Sequence, residues 1–518
     1  MKKFIISITI LILAQYMIAK DYPIIIPEPV EYASVNDVFK FDKQLKIAYD
    51  ESYKSEAHFL QKELFKRKNL LSILESDKKA ADIILIKSDT KFDANGSYSL
   101  NMDKNQVTVK AQNGDGIFNG IVSLIQLLTN SDTQEVKCWN IEDSPAYDWR
   151  GFMLDESRHF YGKEKVKQLL DYMAFYKLNK FHWHLTDEPG WRIEIKNYPL
   201  LAYTGGVGNY TDHNATPTYY TQEEINEIVL YASERKIMVI PEIDMPGHAR
   251  AANRAYPEFS GGGSERYPEF TFDPGKEETY QYLTNILKEI NVLFPSNMIH
   301  LGGDEVHFGN EAWNHNEGVK SLMKREGLTK LEQVEKYFMS RMADSVFLLN
   351  NKVLAWDEMA EISLPTDKTI IFWWRHDQKD QLQKALDKEY PVVLCPRIPL
   401  YFDFVQDESH KVGRRWAGEY SDLEKVYKFN TEKLIQPKYS SQVLGIQANL
   451  WTEEIASEQR LDFMTYPRIS ALSEAAWGQN NDYQSYLERL KSHLKLYNSD
   501  KIYHFNPFDT DGSFEPNL

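Results

Sequence analysis

The segment His300-Leu301-Gly302-Gly303-Asp304-Glu305-Val306-His307 sets two adjacent carboxylates behind the apolar run Asn297-Met298-Ile299-His300-Leu301. Paired acids can move protons to and from a small polar substrate, which is what acid/base hydrolysis needs. Neighbouring side chains on a regular strand point to opposite faces. Asp304 and Glu305 can therefore share a site only where the strand ends and its pleat is lost. Gly302 and Gly303 give the backbone freedom for such a break, or room for a ligand to come close. Taken alone, the segment reads equally well as a strand end carrying two solvated acids.

The elements that would position these acids decide between the two readings. Strand-like runs fall at 150–155, 180–186, 237–243, 298–303, 352–356, 369–374, 391–396 and 443–450, with helical patterns between most of them, as over 164–173 and 223–232. Eight strands alternating with helices predict a closed (β/α)8 barrel; an open doubly wound sheet is the alternative. The barrel is favoured by what stands at the strand ends. Arg158 follows the first run, and His182-Trp183-His184 with Asp187 form and follow the second. Asp244 and His248 follow the third, then Trp356-Asp357-Glu358, Trp373-Trp374-Arg375, Tyr401-Phe402-Asp403 and Trp451-Thr452-Glu453. A barrel collects all of these in one mouth, whereas an open sheet spreads them along an edge. His182 and His184 share one face of a strand, and with Asp187, His248 and Asp304 they also fit a metal-dependent barrel hydrolase.

Ahead of the barrel, short strands at Val38–Phe41, Ile83–Ile86, Ser97–Leu100 and Gln106–Val109 accompany one helical period over Ser55–Leu64. The expected organisation is a signal peptide over 1–19, a small α+β domain over 20–143, the barrel over 144–480, and a C-terminal helix and tail over 481–518. Lys2-Lys3 followed by the apolar run 4–13 and Ala19 carry the signal reading, and with it a secreted or periplasmic location. No later stretch suits a membrane span, so no stable membrane insertion is expected after cleavage. The formal net charge of −16 argues against nucleic acid and anionic membranes as partners. The 31 Tyr and 11 Trp supply flat faces suited to sugar rings, although most aromatics in any chain are core. Cys138 and Cys395 match neither a disulfide framework nor a zinc spacing and read as buried free thiols. Sequons begin at Asn95, Asn209 and Asn214, and the Gly-rich loop 204–220 could rim the site.

The ordered set WRGFMLDESRHF, FHWHLTDEPGW, PEIDMPGH, HLGGDE, LAWDE, YFD and LWTE closely resembles the glycoside hydrolase family 20 β-N-acetylhexosaminidases, over roughly residues 145 to 480. The preceding stretch, with its Pro27-Glu28-Pro29 start, is similar to the small α+β domain of that family. The resemblance implies a retaining exo-enzyme that removes terminal β-linked N-acetylglucosamine or N-acetylgalactosamine from oligosaccharides or glycoconjugates without a cofactor or metal. The substrate's own 2-acetamido oxygen would be the nucleophile, giving an oxazolinium intermediate. By matching positions, Glu305 is the acid and then the base. Asp304 orients the acetamido group and steadies its developing charge, and Tyr401 donates to its oxygen. Arg158 and Asp187 grip ring hydroxyls, and Asp403 and Glu453 hold the far ones. Trp356, Trp374 and Trp451 wall the pocket, and Asp244 and His248 position Glu305 and the substrate. An ionised Asp304 would also raise the proton affinity of Glu305. Glu188, where many relatives have Asp, and the doubled Trp373-Trp374 depart from the pattern. A non-catalytic sugar-binding protein is the rival outcome, and the intact acid pair speaks against it.

Overall fold

The computed structural model describes residues 21–516 apart from 42–43, 90–93 and 479–480. The expected signal peptide lies outside the described residues. Seven strands, Glu31–Lys40, Leu45–Tyr49, Ser72–Glu75, Ile83–Lys87, Tyr98–Met102, Val107–Ala111 and Glu135–Asp143, form a mixed sheet and, numbered along the chain, lie in the order 1-7-5-6-4-2-3. Its helices are Lys54–Lys68 and Gly114–Thr129. The second, buried almost all round from Gly116 to Leu128, is absent from the sequence reading. It lies between the sheet and the barrel. Gln126 donates to the carbonyls of Ile26 and Phe175 at 2.7 and 2.6 Å, the latter at the end of the first barrel helix, Lys163–Phe175. Lys177 and Asp143, both fully buried, pair at 3.0 Å across the same junction.

The barrel is closed. Its strands are Trp149–Asp155, Lys180–His184, Met238–Glu242, Met298–His300, Lys352–Trp356, Thr369–Trp373, Val392–Leu394 and Val443–Leu450. Each pairs in parallel with the next, and the eighth returns to the first from Gly445↔Trp149 to Leu450↔Leu154, which removes the open-sheet alternative. Side chains fill the interior, among them Met153, Ile240, Leu354, Ile370, Phe372 and Val393. It is therefore a packed core whose carboxyl-end mouth is the place for chemistry. Cys138 and Cys395 are buried and unpaired. The C-terminal helix, Tyr483–Ser499, clamps the two parts together: Arg489 pairs with Glu474 of the barrel and with Glu28 at 2.9 Å, and donates to the Ile25 carbonyl. No helix among the described residues is long and apolar enough to cross a membrane.

Candidate active site

The fourth strand stops at His300, and the chain then turns through Gly302 and Gly303 at φ +66° and +90°. Gly302 is needed for more than its φ, because a Cβ there would lie 1.8 Å from Asp244 Oδ1. That same oxygen accepts the Gly303 N–H at 3.3 Å. Glu305 itself sits at φ +54°, a left-handed conformation that costs a glutamate about 1–3 kcal/mol and is typical of functional sites. The pleat is thus lost where two neighbouring acids must face one cavity. Asp304 lies buried, and Glu305 is half-buried beside it.

Charge alternates along a buried chain behind these acids. Glu242, on the third strand, accepts from Trp356 Nε1 at 2.9 Å, and its carboxylate lies 3.0 Å from His300 Nδ1 and 2.9 Å from His182 Nε2. It also holds His184 Nδ1 at 2.6 Å, while His184 Nε2 meets Asp187 at 2.9 Å. Asp187 in turn binds Arg158 at 2.7 Å and His248 Nδ1 at 3.0 Å. His248 Nε2 then stands 3.7 Å from Asp304 and 3.9 Å from Glu305. Burial opposes charge on His184 and His248, but the carboxylates around each outweigh it and hold both imidazoles well above their usual pKa. Burial would likewise raise Asp187, yet Arg158 and His248 hold it well below the usual range. Burial keeps His182 neutral, down at about 4.

Burial pushes Asp304 up to about 6, against the pull of His248. Burial and the Asp304 charge push Asp244 well above the carboxylate range. Asp244 is therefore the protonated member of that pair, and Asp304 ionises above about pH 6.

Nine of the twelve site residues read from the sequence line one pocket: Arg158, His248, Asp304, Glu305, Trp356, Trp374, Tyr401, Trp451 and Glu453. Trp374 stacks with Tyr401 at 6.2 Å and 12°, and Trp356 and Trp451 meet at 5.9 Å and 47°. Trp373 turns into the core, so Trp374 is the pocket member of the doubled pair. Burial holds the Tyr401 phenol well above its usual pKa, so it remains an O–H donor. Asp187, Asp244 and Asp403 stand one layer back. The oxygens of Asp187, read from the sequence as a hydroxyl grip, take Arg158, His184, His248 and the Glu188 N–H. Asp403, pushed up to about 7 by burial, sits 3.3 Å from Arg414.

Three residues enter the site that the sequence reading did not assign. Glu242 is the hub described above. Arg414 bridges Glu453 at 2.5 Å to Asp403 from a loop without a motif, so nothing in its neighbourhood signals it. The C-terminal tail steadies that loop, since Glu515 accepts from Lys411 and Val412 N–H. Glu358, visible as part of a strand-end acid pair, accepts from Trp374 Nε1 at 3.2 Å. The metal alternative has a geometric basis, since His182, Glu242 and His300 offer donor atoms within 4.8 Å of one another. His184, however, commits both ring nitrogens to carboxylates.

A packed eight-stranded barrel with acids, arginines and an aromatic box at its carboxyl mouth has the architecture of a barrel enzyme with a small-molecule pocket. The comparisons sharpen this class. Residues 147–480 match the model described as "Glycosyl hydrolase family 20, catalytic domain", and residues 22–144 match "Glycosyl hydrolase family 20, domain 2". The chain belongs to glycosyl hydrolase family 20. It is 33% identical to a beta-hexosaminidase of Porphyromonas gingivalis over 90% of this chain, and it spans 62% of that relative's length. The exo beta-N-acetylglucosaminidase of Vibrio harveyi, solved with N-acetylglucosamine, superposes with a TM-score of 0.86 at 31% identity, covering 94% of this chain and 79% of that one. The beta-N-acetylhexosaminidase of Bacteroides fragilis superposes with a TM-score of 0.82 at 28% identity, covering 95% of this chain and 99% of that one.

Proposed function

We propose that the protein is a retaining exo-β-N-acetylhexosaminidase that hydrolyses terminal β-linked N-acetylglucosamine or N-acetylgalactosamine with help from the substrate's own acetamido group. The observation that carries this reading is the left-handed break that turns adjacent Asp304 and Glu305 into one pocket with Tyr401 and three tryptophans. Glu305, half-buried and reachable from outside, protonates the glycosidic oxygen and later takes the proton of the attacking water. Asp304, ionised above about pH 6, accepts from the acetamido N–H and offsets the positive charge of the oxazolinium. Tyr401 donates to the acetamido oxygen and aligns it with the anomeric carbon. The nucleophile comes with the substrate, so the pair does not need an acid on the opposite wall. Arg158 and Glu453 face the pocket and hold ring hydroxyls, with Asp403 behind them. His248 and Asp187 keep the acid pair and Arg158 in place. The names of the relatives support the same activity.

The apolar run behind Lys2-Lys3 supports export of the chain, and we infer that the enzyme works outside the cytoplasm, secreted or periplasmic. Glu305→Gln tests the chemistry. Turnover of an aryl β-N-acetylglucosaminide should fall by about 10²–10⁴-fold, while N-acetylglucosamine binding measured by calorimetry persists. If the wild type binds this sugar without releasing the aryl group, the protein is a sugar-binding module and the proposal fails.

A further inference from the structure

Outside the ring pocket lies a vestibule of about 370 Å³. The two spaces share Arg158, His248, Glu305, Arg414 and Glu453. Glu305, which serves the glycosidic oxygen, is among the five, so a group joined to the sugar through that oxygen has the vestibule beside it. Three more arginines line it: Arg250, Arg254 and Arg266. Arg250 and Arg254 stand one turn apart on the short helix Arg250–Ala255. Arg254 is fixed by donating to the carbonyls of Thr204, Gly205 and Val207, at 2.7 Å for the last. Arg266 lies over the Tyr267 ring at 5.3 Å. Among the described residues none of the three forms an ion pair with a carboxylate, whereas Arg158 and Arg414 each do. The acid that Arg250 feels, Glu188, has its own carboxyl raised toward the neutral form by burial and by Asp187.

This cationic surplus runs against the chain as a whole, which carries 76 acids against 60 bases. Like charges gathered without partners cost stability, and that cost is offset when a ligand brings the opposite charge. Aromatic rings also line the vestibule. Tyr267 and Phe308 stack at 5.6 Å and 15°, and Tyr210 adds an exposed ring. A planar guanidinium matches the paired oxygens of a carboxylate or sulfate, and an aromatic face suits the apolar face of a sugar. We propose that the vestibule binds an acidic sugar, carboxylated or sulfated, joined through the scissile bond to the N-acetylhexosamine in the pocket. The proposal rests on the hexosaminidase reading and adds the class of glycan on which that activity works best.

Two matched pairs of disaccharides test it. In one, N-acetylglucosamine is β-linked to galactose or to 6-O-sulfogalactose; in the other, to glucose or to glucuronic acid. The readout is kcat/KM for release of N-acetylglucosamine at low salt. The acidic member of at least one pair should exceed its neutral partner by about tenfold, and the pair that responds identifies the anion. The ratio should shrink with added salt and fall to about one in the double variant Arg250→Gln, Arg266→Gln. Ratios near one in the wild type, or a ratio that survives the double substitution, overturn the vestibule proposal and leave the hexosaminidase reading standing. Failure to cleave any of the four overturns both.

Discussion

Replacing Asp304 with Asn should stabilise the folded protein at pH 8 while it abolishes most activity. Burial raises the folded-state pKa of this carboxyl from 3.8 to about 6, so the folded state holds the proton more tightly than the unfolded chain does. For a group shifted in that direction the destabilisation is absent below about pH 4, grows between about pH 4 and 6, and is complete above about pH 6. The gap is about two pKa units at about 1.4 kcal/mol each, or about 3 kcal/mol of stability given up at pH 8. Removing the charge also relieves Asp244, whose proton affinity Asp304 raises, and this acts in the same direction. With about 2 cal/mol/K of unfolding entropy per residue over a barrel of about 330 residues, 3 kcal/mol corresponds to about 4 °C in Tm. An added amide N–H without an acceptor carries its own cost, but that cost does not depend on pH. The informative quantity is therefore the Tm difference between variant and wild type at pH 8, less the same difference at pH 4, measured by calorimetry. A value near zero, or a larger gain at pH 4, would refute the claim that Asp304 is a buried charge maintained at the expense of stability.

Two further outcomes follow from the same geometry. His248 is the cation that opposes the rise of the Asp304 pKa, so His248→Gln should move the acid limb of kcat/KM upward from about pH 6 by about one unit; a pH–rate profile with an unmoved limb would separate His248 from Asp304. Tyr401→Phe keeps the ring that stacks on Trp374 and removes only the hydroxyl, so kcat for an aryl N-acetylhexosaminide should drop about 10²–10³-fold with little change in KM. A rise in KM with kcat unchanged would mean that the hydroxyl contributes only binding that substrate and transition state share.

Much of the barrel was legible because its strands are short apolar runs with polar residues at their ends, and a closed barrel turns that linear pattern into one mouth. The strand limits read from sequence fall within a few residues of the observed ones, with the fourth and seventh strands shorter than their apolar runs suggest. The small domain was less legible. Its edge strand Glu31–Lys40 is mostly exposed and lacks the one-sided pattern that sequence reading relies on, and its helix Gly114–Thr129, buried almost all round, was passed over. Pocket residues at strand ends could be named in advance, whereas Arg414 could not. It reaches the site from a long loop whose path depends on tertiary contacts with Asp403, Glu453 and the C-terminal tail. Glu242 escaped for a different reason. Inside Ile-Pro-Glu-Ile-Asp it looks like one more strand-end acid, and only closure of the barrel turns the rings of His182, His184, His300 and Trp356 onto it.

That shared carboxylate constrains how the protein can diverge. Glu242 joins the Trp356 wall of the pocket to Arg158 by way of His184 and Asp187, so a substitution that reshapes one end must disturb the clamp at the other. A substitution in this interior is therefore expected to alter the Trp356 wall and the Arg158 clamp together. Arg250 and Arg266 of the vestibule lie beyond that linkage. New glycan preferences can be acquired there one residue at a time while the interior stays fixed.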